Sequence, residues 1–304
     1  MPRELHAPHT PRGPDPGALR PCVRASRRNR YFPGMQPRLV IVGFGNLGNA
    51  IVRGAILGGI DAPSEIGVIE PDAGRLAEAR EIGLRIASPT DVPEAEMLVL
   101  AVKPQNFASA AAALGTVRAG GPLVVSVMAG VRSSAIRAAL GGDARVVRVM
   151  PNTAAAVRRS ITAVAADASV AEPDLARVEQ LFASIGRTVR VEERLFDAVT
   201  AVSGSGPAFV YRFLEAWTYA AEQTGLSPET ARTLARETLV GAATLLDETH
   251  EEPEVLRAKV TSKGGTTAAG MARLDDASPR AGGLDALMVE ALIAARDRGA
   301  ELGK

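Results

Sequence analysis

Between two helix-forming stretches the chain reads VTSKGGTTAAGMARLD, Val260 to Asp275. The paired Gly264 and Gly265 leave backbone amides bare at the start of the next helix, where unpaired N–H groups and the helix dipole attract an anion such as a carboxylate. Thr266 and Thr267 are expected to cap that helix and to offer hydroxyls. The same residues also suit a plain corner between two helices, so the rest of the chain must decide.

A second constellation could hold a dinucleotide. Gly43-Phe44-Gly45-Asn46-Leu47-Gly48 follows a short β-branched run, Arg38 to Val42, and precedes helical spacing over Ala50 to Leu57. Strand, glycine turn and helix form the setting that a GxGxxG pattern needs. Gly43 would make the tight turn, Gly45 would let the backbone approach a pyrophosphate, and Gly48 would let helix pack on strand. Glu70 ends a second strand, Ile66 to Ile69, 22 positions after Gly48. A carboxylate there accepts hydrogen bonds from an adenosine ribose and repels a 2′-phosphate, which leans the choice toward NADH over NADPH. Arg75 argues the other way, and a solvated loop acid before Pro71 is a third reading.

Two more strand ends carry polar signatures. Met97 to Val102 runs into Ala101-Val102-Lys103-Pro104-Gln105, and Val146 to Met150 runs into Met150-Pro151-Asn152-Thr153. Ligands of open α/β sheets bind beyond the carboxyl ends of the strands, so Ala101 to Pro104 and Asn152 are expected to face the nicotinamide half of the cofactor. Either could instead be an ordinary turn.

These residues need elements to position them. Leu123 to Val127 is a further strand, and Ala-rich helical segments separate the runs, the alternation of a parallel sheet covered on both faces. Ile161 to Ala165 and Thr188 to Val191 flank a helix over Asp174 to Ser184. After Glu193 strand runs vanish, and helices are expected at 195–202, 207–224, 228–248, 253–260, 266–275 and 279–302. Ser203-Gly204-Ser205-Gly206-Pro207 is a glycine break between the first two. The expected fold is therefore α/β: a tail over 1–34, a Rossmann-type parallel sheet over 35–193, and an all-helical region over 194–304.

Composition narrows the chemistry. The chain has 304 residues and 46% apolar content, enough for about two domains. No apolar stretch approaches the ~20 residues of a spanning helix. The single cysteine, Cys22, and two of the three histidines, His6 and His9, lie in the first 34 residues, which leaves His250 alone in the remainder. A Ser–His–acid triad, a cysteine nucleophile and a His-ligated metal are thereby disfavoured. The first 34 residues hold seven arginines against Glu4 and Asp15, a net +5, so with +1 overall the remainder carries −4, a poor nucleic-acid binder. Seven prolines break that tail, which lacks the apolar core of a secretion signal and is too interrupted for a transit helix. The expectation is a cytoplasmic protein whose native start is Met35. Only four lysines occur, at 103, 259, 263 and 304, and three fall inside these motifs.

From about Leu39 to Ala300 the order of GFGNLG, AVKPQ, SVMAG, MPNT, AVSGSGPAF and VTSKGGTTAAG resembles the pyrroline-5-carboxylate reductases, the final motif being the specific one. The resemblance implies reduction of 1-pyrroline-5-carboxylate to L-proline by NADPH or NADH. It implies a homodimer whose helical regions interlock, so that each active site lies between one chain's cofactor domain and the dimer's helices. It also implies that Ser262, Gly264, Gly265, Thr266 and Thr267 hold the substrate carboxylate and place a threonine hydroxyl on the ring nitrogen, with Thr267 in the catalytic role. A threonine hydroxyl is too weak an acid to protonate an imine outright, so Thr267 is expected to orient the ring and relay a proton from water.

The chain departs from the family pattern at Lys263 for proline, Ala258 for an acid, Met271 for Leu or Ile, Ala154 for proline, and Arg158-Arg159-Ser160 for small residues with glycine. Lys259 and Lys263 would add positive charge beside the carboxylate cradle, either tightening acid binding or marking a shifted substrate. Rival readings are a related imine reductase, a dehydrogenase of 2- or 3-hydroxy acids, whose catalytic lysine on the long interdomain helix has no counterpart in Phe209 to Gln223, and a non-catalytic dinucleotide-binding paralogue.

Overall fold

A computed structural model describes residues 37–166, 168–275 and 283–303. The expected tail over 1–34, the expected start at Met35, and the first residues of the expected helix over 279–302 lie outside those residues.

The apolar runs become the strands. Strands β1 (Leu39–Val42), β2 (Ile66–Ile69), β3 (Arg85–Ile86), β4 (Met97–Leu100), β5 (Leu123–Ser126), β6 (Val146–Met150), β7 (Ser160–Ala166) and β8 (Gly186–Arg190) form one sheet in the order β3-β2-β1-β4-β5-β6-β7-β8. All residues of β1, β4, β5 and β6 are buried, as continuous apolar runs in a sheet covered on both faces must be. The crossover helices are α1 (Asn46–Leu57), α2 (Ala73–Ile82), α3 (Phe107–Leu114), α4 (Ser133–Ala139) and α5 (Glu172–Ala183). One apolar cluster lies on each side of the sheet: Ile41, Ile51, Val99 and Phe182 in one, Val40, Leu98, Phe107 and Ile136 in the other. Alternate residues of one strand thus feed opposite cores.

The sheet departs from the expected parallel arrangement at one boundary. β1 through β6 are parallel, but β7 runs antiparallel to β6, with Met150 opposite Ala163, and β8 is parallel to β7. The link from Met150 to Ser160 holds only the short 3-10 turn Thr153–Val157. Such a link can reverse the chain but cannot carry it back across the sheet as a parallel connection requires. One of the unusual arginines, Arg159, finds a use here. Arg159 and Arg187 donate to the two carboxylate oxygens of Asp247, at 2.5 and 2.7 Å.

The remaining helices are α6 (Phe196–Val199), α7 (Gly206–Gln223), α8 (Pro228–Thr249), α9 (Pro253–Lys259), α10 (Thr266–Leu274) and α11 (Gly283–Leu302). The glycine break expected at 203–207 is instead a helical joint. Residues Thr200–Gly204 make a π-helical turn, closed by the Ser205 amide donating to the Thr200 carbonyl at 2.8 Å, and lead directly into α7. Thr200 and Ser203 donate their hydroxyls to carbonyls one turn back, at Phe196 and Val199, which supports the widened turn.

These helices bury little. Among the described residues, α7, α9, α10 and α11 have no buried side chain and α8 has Ala231 and Ala235. Tyr211, Tyr219, Leu245, Leu287 and Val289 are all more than half exposed. Among the described residues, this much exposed apolar helical surface has the character of an interaction face.

Candidate active site

The glycine fingerprint sits where the strand order reverses, between β1 and β4, and each glycine has a distinct physical reason. Gly43 turns with φ +96°, and a Cβ there would lie 2.7 Å from the Ala101 carbonyl oxygen. A Cβ on Gly48 would lie 2.2 Å from the Gly43 carbonyl oxygen, so α1 packs on the turn only because that atom is missing. Gly45 is different: the nearest atom to its imagined Cβ is Arg75 Nη1 at 3.7 Å, which leaves its outer face open. Gly45 is also the N-cap of α1 and has no side chain to cap it, so the amides of Asn46, Leu47 and Gly48 are left for an incoming anion. Phe44 is buried and anchors the loop in the core.

A cleft of about 680 Å³ opens over this turn, with Gly43, Gly45, Glu70, Ala101, Val102 and Lys103 in its wall. Pro104 starts the 3-10 turn that follows Lys103. Asn152 is not among the residues lining that cleft. Its side chain accepts from the Ala154 amide, and its own amide donates to Ser160 Oγ, so Asn152 caps the turn leading into β7.

Glu70 does not point its carboxylate at the open cleft. Its side chain is 4% exposed and lies under the fingerprint loop. One oxygen accepts from the Phe44 amide at 2.6 Å, the other from the Asp72 amide at 3.0 Å. Arg75 Nη1 stands 3.6 Å from the same carboxylate and is half exposed at the cleft wall. Asp72, the N-cap of α2, accepts from the Arg75 amide at 2.9 Å and so fixes where that arginine leaves the helix. The spacing of Asp72 and Arg75 signals a capped helix start, while the burial of Glu70 has no local signal.

The second constellation folds as a turn into α10. Gly264 adopts φ +73° with nothing within 4 Å of an imagined Cβ. The N-cap is Gly265, not a threonine, and no side chain caps the helix. Thr266 and Thr267 therefore occupy the first turn, and their hydroxyls are not used as caps. Ser262 lies against the turn: a Cβ on Gly265 would come 2.5 Å from Ser262 Oγ. Ser262, Gly264, Thr266 and Thr267 are exposed in the single chain, and none of them lines the fingerprint cleft of that chain. Lys259 is not part of the cradle's charge. Its ammonium is held by both oxygens of Glu251, each at 2.6 Å, which leaves Lys263 as the lysine on the turn itself.

A third cluster joins sheet to helices. Arg148 of β6 is buried and donates to Glu193 at 3.2 Å, and Glu193 also accepts from the amide and hydroxyl of Ser133 at 2.7 and 2.6 Å. Burial pulls the Arg148 guanidinium below its ordinary value despite the attraction of Glu193. For Glu193 burial works against ionisation, but the Ser133 hydrogen bonds and Arg148 outweigh it and hold the carboxyl below the usual range.

A glycine fingerprint at the switch point of a Rossmann sheet, followed by a helical region, defines a nicotinamide-dinucleotide-dependent oxidoreductase. Residues 38–130 match a family described as NADP oxidoreductase, coenzyme F420-dependent, and residues 193–302 match the pyrroline-5-carboxylate reductase dimerisation region. The chain is 40% identical to a pyrroline-5-carboxylate reductase of Synechocystis sp. over 89% of its own length and 100% of that relative. It is 38% identical to one from Methanosarcina acetivorans over 88% of its length and 98% of that relative. Among solved structures, the Coxiella burnetii enzyme superposes with a TM-score of 0.79 at 33% identity, covering 89% of this chain and all of the other. The Plasmodium falciparum enzyme, solved with NADP bound, has a TM-score of 0.74 at 25% identity, covering 89% of this chain and all of that one. The chain belongs to the pyrroline-5-carboxylate reductase family.

Proposed function

We propose that this protein reduces 1-pyrroline-5-carboxylate to L-proline, the last step of proline biosynthesis, in the cytoplasm and as a homodimer. The observation that carries this reading is the opening of α10. There Gly264 and Gly265 replace side chains with bare backbone, and Thr267 stands one residue into the helix.

In this reading residues 35–193 bind the dinucleotide and 194–304 supply the dimer surface and the substrate cradle. The fingerprint fits the cofactor, since the spaces a Cβ would fill at Gly43 and Gly48 are taken by backbone and the outer face of Gly45 is open. When bound, NADPH or NADH supplies a hydride to the imine carbon. The amides at the start of α10 grip the ring carboxylate, with the helix dipole adding attraction. Ser262 braces the turn. Thr267 directs its hydroxyl to the ring nitrogen, holding one face of the C=N bond toward the nicotinamide and relaying a proton from water as the nitrogen becomes an amine. Val102, Lys103 and Pro104 after β4 complete the cofactor's surroundings, and Asn152 shapes the turn beyond β6 from outside the cleft.

The cradle and the fingerprint cleft of one chain are separate surfaces, and the apolar helices lack cover. Both are accounted for by a second copy that brings its helices over the first chain's crevice.

The test is oxidation of each nicotinamide cofactor by racemic pyrroline-5-carboxylate, run beside other cyclic imines and the oxo acids that correspond to 2- and 3-hydroxy acids. Loss of absorbance with the five-membered imino acid alone supports the reading. Equal or faster reduction of an oxo acid, or none of any imine, refutes it.

A further inference from the structure

We infer that Arg75 decides which dinucleotide this chain takes, by gripping the 2′-phosphate of NADPH over the fingerprint loop, while Glu70 staples that loop from beneath and does not read the ribose. The inference rests on the dinucleotide-binding reading above and concerns the selectivity of the same cleft.

An acid at the end of β2 selects NADH when its oxygens face the cleft and accept from the ribose hydroxyls. Glu70 has the sequence position for that role but not the orientation. Both oxygens accept from backbone amides, those of Phe44 and Asp72, and the side chain is 4% exposed. A carboxylate retains lone pairs after two such bonds, but these have no open path to a sugar lying on the loop. The Phe44 bond also has a purpose of its own. Phe44 lies between the first two of the three fingerprint glycines, so fixing its amide fixes the backbone that must meet the pyrophosphate.

Arg75 has the complementary properties. It is 52% exposed, it lines the cleft, and its Nη1 lies 3.7 Å from the position a Cβ on Gly45 would occupy, beside the open face of the loop. Its backbone is held by Asp72, and Glu70 below draws its guanidinium toward the loop. A phosphate monoester offers the fork of N–H groups several anionic acceptors, and such charge-assisted pairing is much stronger than a neutral hydroxyl contact. Glu70 does not repel that phosphate as a cleft-facing acid would, because two amide dipoles and the arginine lie around its charge.

Binding can be read without turnover by titrating the full-length protein calorimetrically with 2′-phospho-ADP-ribose and with ADP-ribose. The unmodified protein is expected to bind the phosphorylated fragment at least about tenfold more tightly. Arg75→Ala is expected to remove that preference by weakening the phosphorylated fragment alone, with ADP-ribose held within about twofold and Arg75→Lys falling between. Glu70→Gln is expected to weaken both fragments in parallel, because it loosens the loop they share. The inference is overturned if Arg75→Ala weakens both fragments equally, if Glu70→Gln weakens ADP-ribose alone, or if the unmodified protein binds the two alike. Failure of both fragments to bind the unmodified protein would instead overturn the dinucleotide-binding reading beneath it. Circular dichroism of each variant separates these results from misfolding.

Discussion

The guanidinium of Arg148 lies 4.5 Å from the centre of the Phe196 ring, so a buried strand side chain of the sheet is stacked on the first residue of α6. With Glu193 and Ser133 this contact joins sheet to helices through charge rather than oil. Arg148→Ala leaves Glu193 without its cation and opens a void beside Phe196. The expected cost is about 3 kcal/mol, at the low end for a broken buried pair because Glu193 keeps some water. Urea unfolding of the variant beside the unmodified protein measures it.

The same cluster predicts a pH dependence. Glu193 is held below its ordinary value in the folded chain, so its contribution to stability is fully present above the unfolded value near 4.5 and is lost as pH falls through the lower folded value. Unfolding midpoints from neutrality to about pH 3 should therefore fall less steeply in Glu193→Gln than in the unmodified protein. Parallel curves would show that Glu193 is not a proton-linked contributor.

Two alanines in the fingerprint should behave differently. Gly48→Ala drives a methyl into the Gly43 carbonyl, against backbone that has nowhere to go, and should cost about 2 kcal/mol of stability as well as dinucleotide binding. Gly45→Ala meets only the tip of Arg75 and should fold nearly as well, yet lose affinity because the methyl stands where a pyrophosphate approaches. Thermal melts paired with ADP-ribose titration distinguish the two.

Thr267→Ala should lower kcat by about 100-fold while leaving dinucleotide affinity nearly unchanged, and Thr267→Ser should recover most of the loss. Gly264→Ala, which forces a side chain into φ +73°, should raise KM for the imino acid with less effect on kcat. Full turnover by Thr267→Ala would remove the role given to its hydroxyl.

Leu287 is 66% exposed on α11 in the single chain. If a second copy covers it, Leu287→Arg should weaken association by more than about 100-fold and abolish turnover, while the fragment ADP-ribose still binds. Sedimentation at several concentrations reads the first effect. An unchanged sedimentation coefficient would place the dimer surface elsewhere.

Much of this architecture is legible in the chain because the informative segments obey local rules. β2 and β6 lie within their expected bounds because their mostly apolar runs stop at a charge, Glu70, and at a proline, Pro151. The three fingerprint glycines have the turning, approach and packing geometries their spacing implies. What is not legible depends on contacts distant in sequence. The two-residue β3 is too short to show a period. The reversal at β7 is a property of pairing, and the π-helical joint disguises itself as a glycine break because Gly204 and Gly206 resemble loop residues out of context. Glu70 shows the same limit at the site: its sequence position identifies a cofactor-facing acid, but only the fold reveals that Phe44 and Asp72 already occupy it.

The chain contains one tryptophan, and it lies on the unpartnered helical surface: Trp217 of α7 is 37% exposed, with the Phe213 ring 5.6 Å away. Its indole would pass from a wet to a drier environment when two copies meet, shifting its emission to shorter wavelength. If two copies meet on that face, this indole is an intrinsic optical gauge of the proposed assembly, readable without any dye.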